Sequence, residues 1–248
     1  MYKNLKEILD LVAKIGENAA IEILQGAISA EKPSNIPVPL EFCVILDAGH
    51  GGIDPKTGRY TTAPAKMWTH EATATEKEFV FHEGVFNRQV CRFLEEMLLR
   101  RGIPTYRTYH ESNDVSLSTR VSVANAYFME HSGAVLISIH GNAAANEKAQ
   151  GLEVFTSKGQ TKSDVLAEHL IDCLAQELPA MKMRKDTTDG DQDKEANFYI
   201  LRKTKCPAVL SENGFFTNRS EAKLMMTVEY KKKIAQAHFD AVLRYLGV

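Results

Sequence analysis

Three apolar runs, each ending in a side chain capable of chemistry, constrain this 248-residue chain more than any other feature. Cys43-Val44-Ile45-Leu46 passes into Asp47-Ala48-Gly49-His50-Gly51-Gly52. Ala134-Val135-Leu136-Ile137-Ser138-Ile139 runs into His140-Gly141-Asn142, and Cys206-Pro207-Ala208-Val209-Leu210-Ser211 into Glu212-Asn213-Gly214. Short apolar runs without polar alternation suit strands covered on both faces, as in a parallel sheet. Parallel strands need crossover connections, and the intervening sequence carries helical stripes that supply them. Residues 85–101, 116–130 and 164–178 show that spacing, the last with a cap at Ser163, and 220–246 reads as one or two helices. Residues 103–108 and 152–156 are further strands, and 181–197 is a charged loop. The expected class is therefore α/β, a mostly parallel central sheet flanked by helices. In such sheets ligands bind beyond the carboxyl ends of the strands, so His50, His140 and Glu212 gather at one edge.

Composition places bounds on this reading. A chain of this length holds one substantial core, or one domain with an extension. A formal net charge of −2 argues against a surface built to track phosphates, so nucleic acid is not the expected partner. Cys43, Cys91, Cys173 and Cys206 form no metal-type pair and read as buried free thiols. Lys3, Lys6, Glu7, Asp10 and Lys14 interrupt the early apolar pattern, so no signal-peptide core is visible, and no run is long enough to span a membrane. Synthesis as a soluble cytoplasmic protein is the expectation.

From Leu5 through Ile8, Leu9, Val12, Ile15, Ala19, Ile23, Leu24 and Ala27 the apolar residues fall on one helical face. The polar face is mixed in sign, which suits a helix packed on the domain or on a copy of itself, as in a homo-oligomer, better than one lying on a membrane. A proline-containing linker follows, so residues 1–39 form an amphipathic extension and 40–248 the main domain. Residues 54–82 lack a clean period and contain the only tryptophan, Trp68. A segment of that length suggests a lid or a substrate-contact insertion.

Two histidines and one carboxylate are a common catalytic zinc set, with a further position for water or substrate. Glu83 stands nearest in sequence, at a helix start that favours a carboxylate on electrostatic grounds alone, and Glu76 and Glu78 compete with it. Glu212 would then serve as general base. A ligand must be ionised and fixed, whereas a base must lie one hydrogen bond from the water, and spacing alone does not assign the two.

Five segments carry a family resemblance. They are Leu46-Asp47-Ala48-Gly49-His50-Gly51-Gly52, Glu83-Gly84-Val85-Phe86-Asn87, Leu117 to Arg120 with Ala124-Asn125-Ala126, Ser138-Ile139-His140-Gly141-Asn142-Ala143, and Pro207-Ala208-Val209-Leu210-Ser211-Glu212-Asn213-Gly214-Phe215 with Thr217-Asn218 and Glu221. In content and order they resemble the zinc-dependent N-acetylmuramoyl-L-alanine amidase catalytic domain, often called amidase type 3. The resemblance covers about Phe42 to Val248. It implies a zinc-exopeptidase-like fold with a twisted sheet, one zinc ion per chain held by His50, Glu83 and His140, and Glu212 as the catalytic acid/base. Glu83 is singled out because the family's ligand lies four residues before an asparagine, here Asn87. The implied reaction is hydrolysis of the amide joining N-acetylmuramic acid to L-alanine in peptidoglycan.

The chain departs from the pattern in its long 54–82 insertion, which bears on substrate preference more than on chemistry, and in Gly141 where alanine is common. It shows no wall-binding repeat. That combination suits a phage or prophage lysin released by another protein, or an enzyme exported by a non-standard route. A zinc peptidase on other wall peptides and a catalytically inactive wall-binding module are the alternatives. His70 and His82, in or beside the insertion, read as solvent-exposed loop histidines with substrate contact as the alternative, whereas His110, His131, His169 and His238 have no motif context and read as structural or surface residues. Asn142 suits either an oxyanion contact or a turn, Arg120 and Asn125 brace the sheet edge, and Lys231-Lys232-Lys233 reads as a solvated helix face.

Overall fold

In the computed structural model the three apolar runs lie side by side at the centre of a six-stranded sheet. The structure describes residues 38–39, 41–188 and 190–248. The expected amino-terminal helix and most of the linker lie outside them. In chain order the elements are β1 (Val44–Ala48), β2 (Met67–His70), β3 (Phe79–His82), α1 (Glu83–Arg100), β4 (Thr105–Arg107), α2 (Leu117–Glu130) and β5 (Val135–Asn142). There follow β6 (Leu152–Thr156), α3 (Lys162–Glu177), β7 (Lys194–Glu195), α4 (Tyr199–Lys203), β8 (Ala208–Phe215), α5 (Arg219–Met226) and α6 (Val228–Leu246). The sheet order is β4-β1-β5-β8-β6-β7, and β2 pairs with β3 in a separate hairpin. β4, β1, β5 and β8 run parallel, β6 is antiparallel to β8, and β7 is parallel to β6. The sheet is thus mostly parallel, as expected.

Alternation along the central strands explains why their apolar runs are unbroken. Val44, Leu46, Val135, Ile137 and Val209 pack with Leu94 and Leu98 of α1, Leu166 and Leu170 of α3 and Ile234 and Val242 of α6. Cys43, Ile45, Leu136, Ala208 and Leu210 face the other way, against Val121 and Ala124 of α2 and Ile200 and Leu201 of α4. Each fully buried aliphatic side chain contributes about 1.5–3 kcal/mol, so both faces of the sheet are stabilised and its polar ends can serve other purposes. All four cysteines are buried and free, and among the described residues no helix is long and apolar enough to cross a membrane.

Several boundaries depart from the periodicity reading. The 54–82 segment is not structureless: Met67 pairs with His82 and His70 with Phe79 across an antiparallel hairpin, and β3 feeds directly into α1. Thr161, not Ser163, caps α3, sharing a capping box with Asp164. The Ser163 hydroxyl instead accepts a hydrogen bond from the Ala208 backbone N–H at 3.0 Å, tying α3 to β8. The 181–197 loop contains β7, and the one-turn α4 behind it is too short to show a period. Lys231 is buried, with Nζ donating to Gln89 Oε1 at 2.7 Å, so only its two neighbours fit the reading of a solvated face. The carboxyl-terminal region is two helices, divided at Thr227, whose side chain caps α6 by accepting from Tyr230 N.

His238 of α6 is fully buried. Its Nδ1 lies 2.7 Å from the Ile234 carbonyl, which fixes the proton there, so Nε2, at 2.8 Å, accepts from the Ser211 hydroxyl of β8. Burial pushes its pKa down from 6.5 to about 4, partly offset by the Ile234 bond. The unfolded chain therefore takes up a proton near pH 6.5 that the folded chain refuses until near pH 4. The stability this residue contributes is complete above the upper value and is lost as pH falls between the two, by up to about 3 kcal/mol. Urea midpoints measured across that range should fall steeply for the wild type and less steeply for His238→Gln. Parallel pH profiles would contradict this.

Candidate active site

The loop after β1 is held open by two arginines. His50 adopts a left-handed backbone, φ 64°, uncommon for a residue with a side chain. Its carbonyl accepts from Arg88 Nη2 at 2.7 Å and Arg120 Nη2 at 2.8 Å. Arg88 Nη1 also donates to the carbonyls of Gly51 at 2.8 Å and Gly84 at 2.9 Å, and Arg120 Nη1 to that of Ala48 at 2.6 Å. Arg120 is anchored by Asp47, whose carboxylate also accepts from Ser138 Oγ and Thr108 Oγ1. Burial would raise the Asp47 carboxyl, but the Arg120 charge and these bonds outweigh it and hold the group below its ordinary range. Backbone approach is close here. A side chain at Gly49 would meet His140 Cε1 at 2.1 Å, and one at Gly84 would meet the Gly51 carbonyl at 1.9 Å.

Glu83, fully buried, is the first residue of α1, so β3 and the helix start together deliver it to the strand edge. Its Oε1 lies 3.0 Å from His140 Nδ1 and 3.1 Å from His50 Nε2. The rings of His50 and His140 meet edge to face at 5.0 Å. One donor atom from each of the three residues falls within 4.8 Å of the other two. His50 Nε2 and Glu83 Oε2 are buried without a hydrogen-bond partner; the 3.1 Å approach of His50 is near in distance but not aligned as a hydrogen bond. Two imidazole nitrogens and a carboxylate, with orphaned atoms among them, form a donor set that fits a divalent cation. Burial alone would raise the Glu83 carboxyl, but His140 and His50 outweigh it and hold the group well below the carboxylate range.

Glu212 sits beside this group without joining it. β5 and β8 place it in register with His140, and β6 places Glu153 on its other side. Its Oε2 is buried and has no hydrogen-bond partner. Burial raises its carboxyl above the usual range, His140 opposes the rise, and the Glu83 charge adds to it. Two carboxylates with opposed shifts, one ionised between histidines and one inclined to hold a proton, are the pattern of an acid/base site. β8 continues past Glu212 to Phe215, so this side chain projects from within a strand, not from its end.

The competing carboxylates are elsewhere. Glu76 is bound by Arg219 and Lys223, and Glu78 is exposed. His70 is buried, not on an exposed loop: its ring stacks on Phe79, and Nε2 meets the Phe216 carbonyl at 2.9 Å. His82 packs against Tyr60, His110 accepts from the Ser112 and Asn113 N–H groups, and His131 meets the Tyr106 hydroxyl. Asn142 ends β5 and is not in a turn: its side-chain amide donates to Glu153 Oε2 at 2.7 Å, and its Oδ1 accepts from the Ala143 N–H at 2.8 Å. Arg120 braces the first strand as expected, whereas Asn125 ties α2 to Lys203 and Lys205. Arg88 had no signal in the sequence: a single arginine within a helical stripe reads as solvent-facing. Lys66 likewise carries no motif signal within the insertion, yet its Nζ lies 3.8 Å from Glu83 Oε2.

The chain is similar in sequence and fold to known proteins. A sequence profile described as N-acetylmuramoyl-L-alanine amidase matches residues 44–244. The probable cell wall amidase LytH of Staphylococcus saprophyticus is 25% identical over 220 residues, covering 89% of this chain and 64% of the relative, so the chain spans under two thirds of that protein. The N-acetylmuramoyl-L-alanine amidase AmiA of Escherichia coli is 24% identical over 261 residues, covering 90% and 83%. Among solved structures, AmiC2 of Nostoc punctiforme superposes with a TM-score of 0.64 at 25% identity, covering 84% of this chain and 98% of that one. An amidase of Clostridium difficile 630 gives 0.64 at 26%, covering 83% and 97%. With the profile matching most of its length, the chain belongs to the N-acetylmuramoyl-L-alanine amidase family.

Proposed function

We propose that this protein hydrolyses the amide between N-acetylmuramic acid and L-alanine in peptidoglycan, with zinc held by His50, Glu83 and His140 and Glu212 as acid/base. The observation that carries the reading is the convergence of the three donors with Glu212 in register beside one of them. When bound there, zinc would polarise a carbonyl oxygen and acidify water. The remaining work falls to the chain. Arg88 and Arg120 fix the His50 backbone so that its ring meets Glu83 and His140. Glu83, held ionised, keeps its charge available at neutral pH. Glu212 Oε2, unpartnered, takes the proton of the attacking water and returns it to the L-alanine nitrogen as the amide carbon–nitrogen bond breaks. To take that proton the carboxyl must begin ionised, and burial, which raises its hold on a proton, lets it keep the proton until the nitrogen receives it.

Two experiments test this. Purified wall digested with zinc-replete protein should release stem peptides with a free L-alanine amino terminus, chelation should abolish release, and added zinc should restore it. Mass spectrometry showing cuts inside the stem would transfer the protein to the peptidases, and binding without release would favour a wall-binding module. Glu212→Gln should retain zinc by elemental analysis while losing about 10²–10⁴ in turnover. A variant as active as the wild type would remove the base assignment.

A further inference from the structure

One cavity opens onto the His/Glu group and a second borders it through Lys66, and the two differ in charge. The first, of about 380 Å³, reaches His50 and His140 and carries the carboxylates of Asp47 and Asp114 together with the Arg120 guanidinium that pairs with both. The other, of about 310 Å³, lies between the β2 hairpin and the segment after β5. Met67, Trp68, Ala143, Ala144 and Phe216 give it apolar walls, and Lys66 is the one charged side chain in that lining among the described residues. The Thr217 hydroxyl there is already engaged by the Ala144 N–H at 3.1 Å.

Lys66 is placed with some care. Its backbone is left-handed, φ 58°, a conformation that costs a residue with a side chain. Its carbonyl accepts from the Glu83 N–H at 3.0 Å, which registers the hairpin against the first residue of α1. The side chain is 47% exposed, and its ammonium lies 3.8 Å from Glu83 Oε2. It therefore stands at the border between the reacting group and the apolar cavity, with Trp68 exposed beside it.

We propose that this cavity is an anion subsite in which Lys66 binds a carboxylate of the substrate peptide, an inference that rests on the amidase reading above. A compact ammonium on a flexible stem suits a carboxylate whose position varies, and apolar walls strengthen the pairing relative to open water. The neighbouring cavity, where two carboxylates share the one Arg120 guanidinium, keeps an excess of negative charge and offers the same group less. An amide whose leaving side is an acidic peptide would thus be oriented with that peptide against the hairpin.

The test uses two synthetic muramoyl peptides that differ only in whether the glutamyl carboxylate following L-alanine is free or amidated. The wild type should favour the free acid by about fivefold in kcat/KM, chiefly through KM, as expected for a half-exposed ion pair. Lys66→Met should bring the ratio close to one, and Lys66→Arg should restore it. Equal turnover of both substrates by the wild type would overturn the subsite. So would a Lys66→Met variant that keeps the preference, or one that loses kcat equally on both, which would place Lys66 at the reacting carbonyl instead. Calorimetric titration of the corresponding free peptides decides the matter without turnover. Preference for the acid in a wild type that cleaves neither substrate would support the subsite and count against the amidase reading, whereas equal binding would overturn the subsite.

Discussion

Hydrogen bonds from two buried guanidinium groups to the carbonyls of the His50 loop are the interaction on which the rest of the site depends. Removing an arginine from water is expensive unless its donors are met. Arg88 meets that requirement with carbonyls of Gly49, His50, Gly51, Gly84 and His110, and Arg120 with Asp47 and the carbonyls of Val115, Ala48 and His50. The loop in turn acquires a left-handed histidine that local propensity would not choose. Neither arrangement is stable alone. The loop supplies acceptors, the arginines supply the charge that fixes it, and the imidazole is aimed as a consequence.

Parallel sheet geometry then does the rest. β1, β5 and β8 are adjacent and in register, so residues far apart in sequence arrive together. His140 and Glu212 become lateral neighbours because they are ladder partners. Glu83 comes from a different direction, off the start of α1, where the helix terminus favours negative charge. The environments of the two carboxylates diverge for identifiable reasons: Glu83 is flanked by two histidines, whereas Glu212 is buried against a second negative charge. On the proposed reading, that divergence distinguishes a fixed ligand from a proton carrier more clearly than residue spacing does.

How much of this the sequence discloses depends on how local its cause is. The central strands were legible because burial on both faces writes an unbroken apolar run, and His50, His140 and Glu212 because they interrupt those runs. Glu83 was not separable from Glu76 or Glu78 by pattern, since what distinguishes it is a contact with two residues on other strands, and only the family resemblance singled it out. Arg88 and Lys231 were hidden for a related reason: a buried long polar side chain within a helical stripe looks the same in sequence as a solvated one. His70 reads as a loop residue until β2 and β3 pair and turn it under Phe216. The Ser163 cap was displaced by Thr161 because the capping box with Asp164 satisfies more of the helix's free N–H groups than a single hydroxyl can.

The central claim is that one metal ion binds His50, Glu83 and His140. X-ray absorption spectroscopy of the zinc-loaded protein, with metal content measured in parallel, tests it most directly. The account predicts one zinc per chain with two imidazole nitrogens and light oxygen ligands, and the loss of one imidazole contribution in His50→Ala. An all-oxygen or sulfur-containing shell, or a spectrum unchanged by His50→Ala, would contradict it.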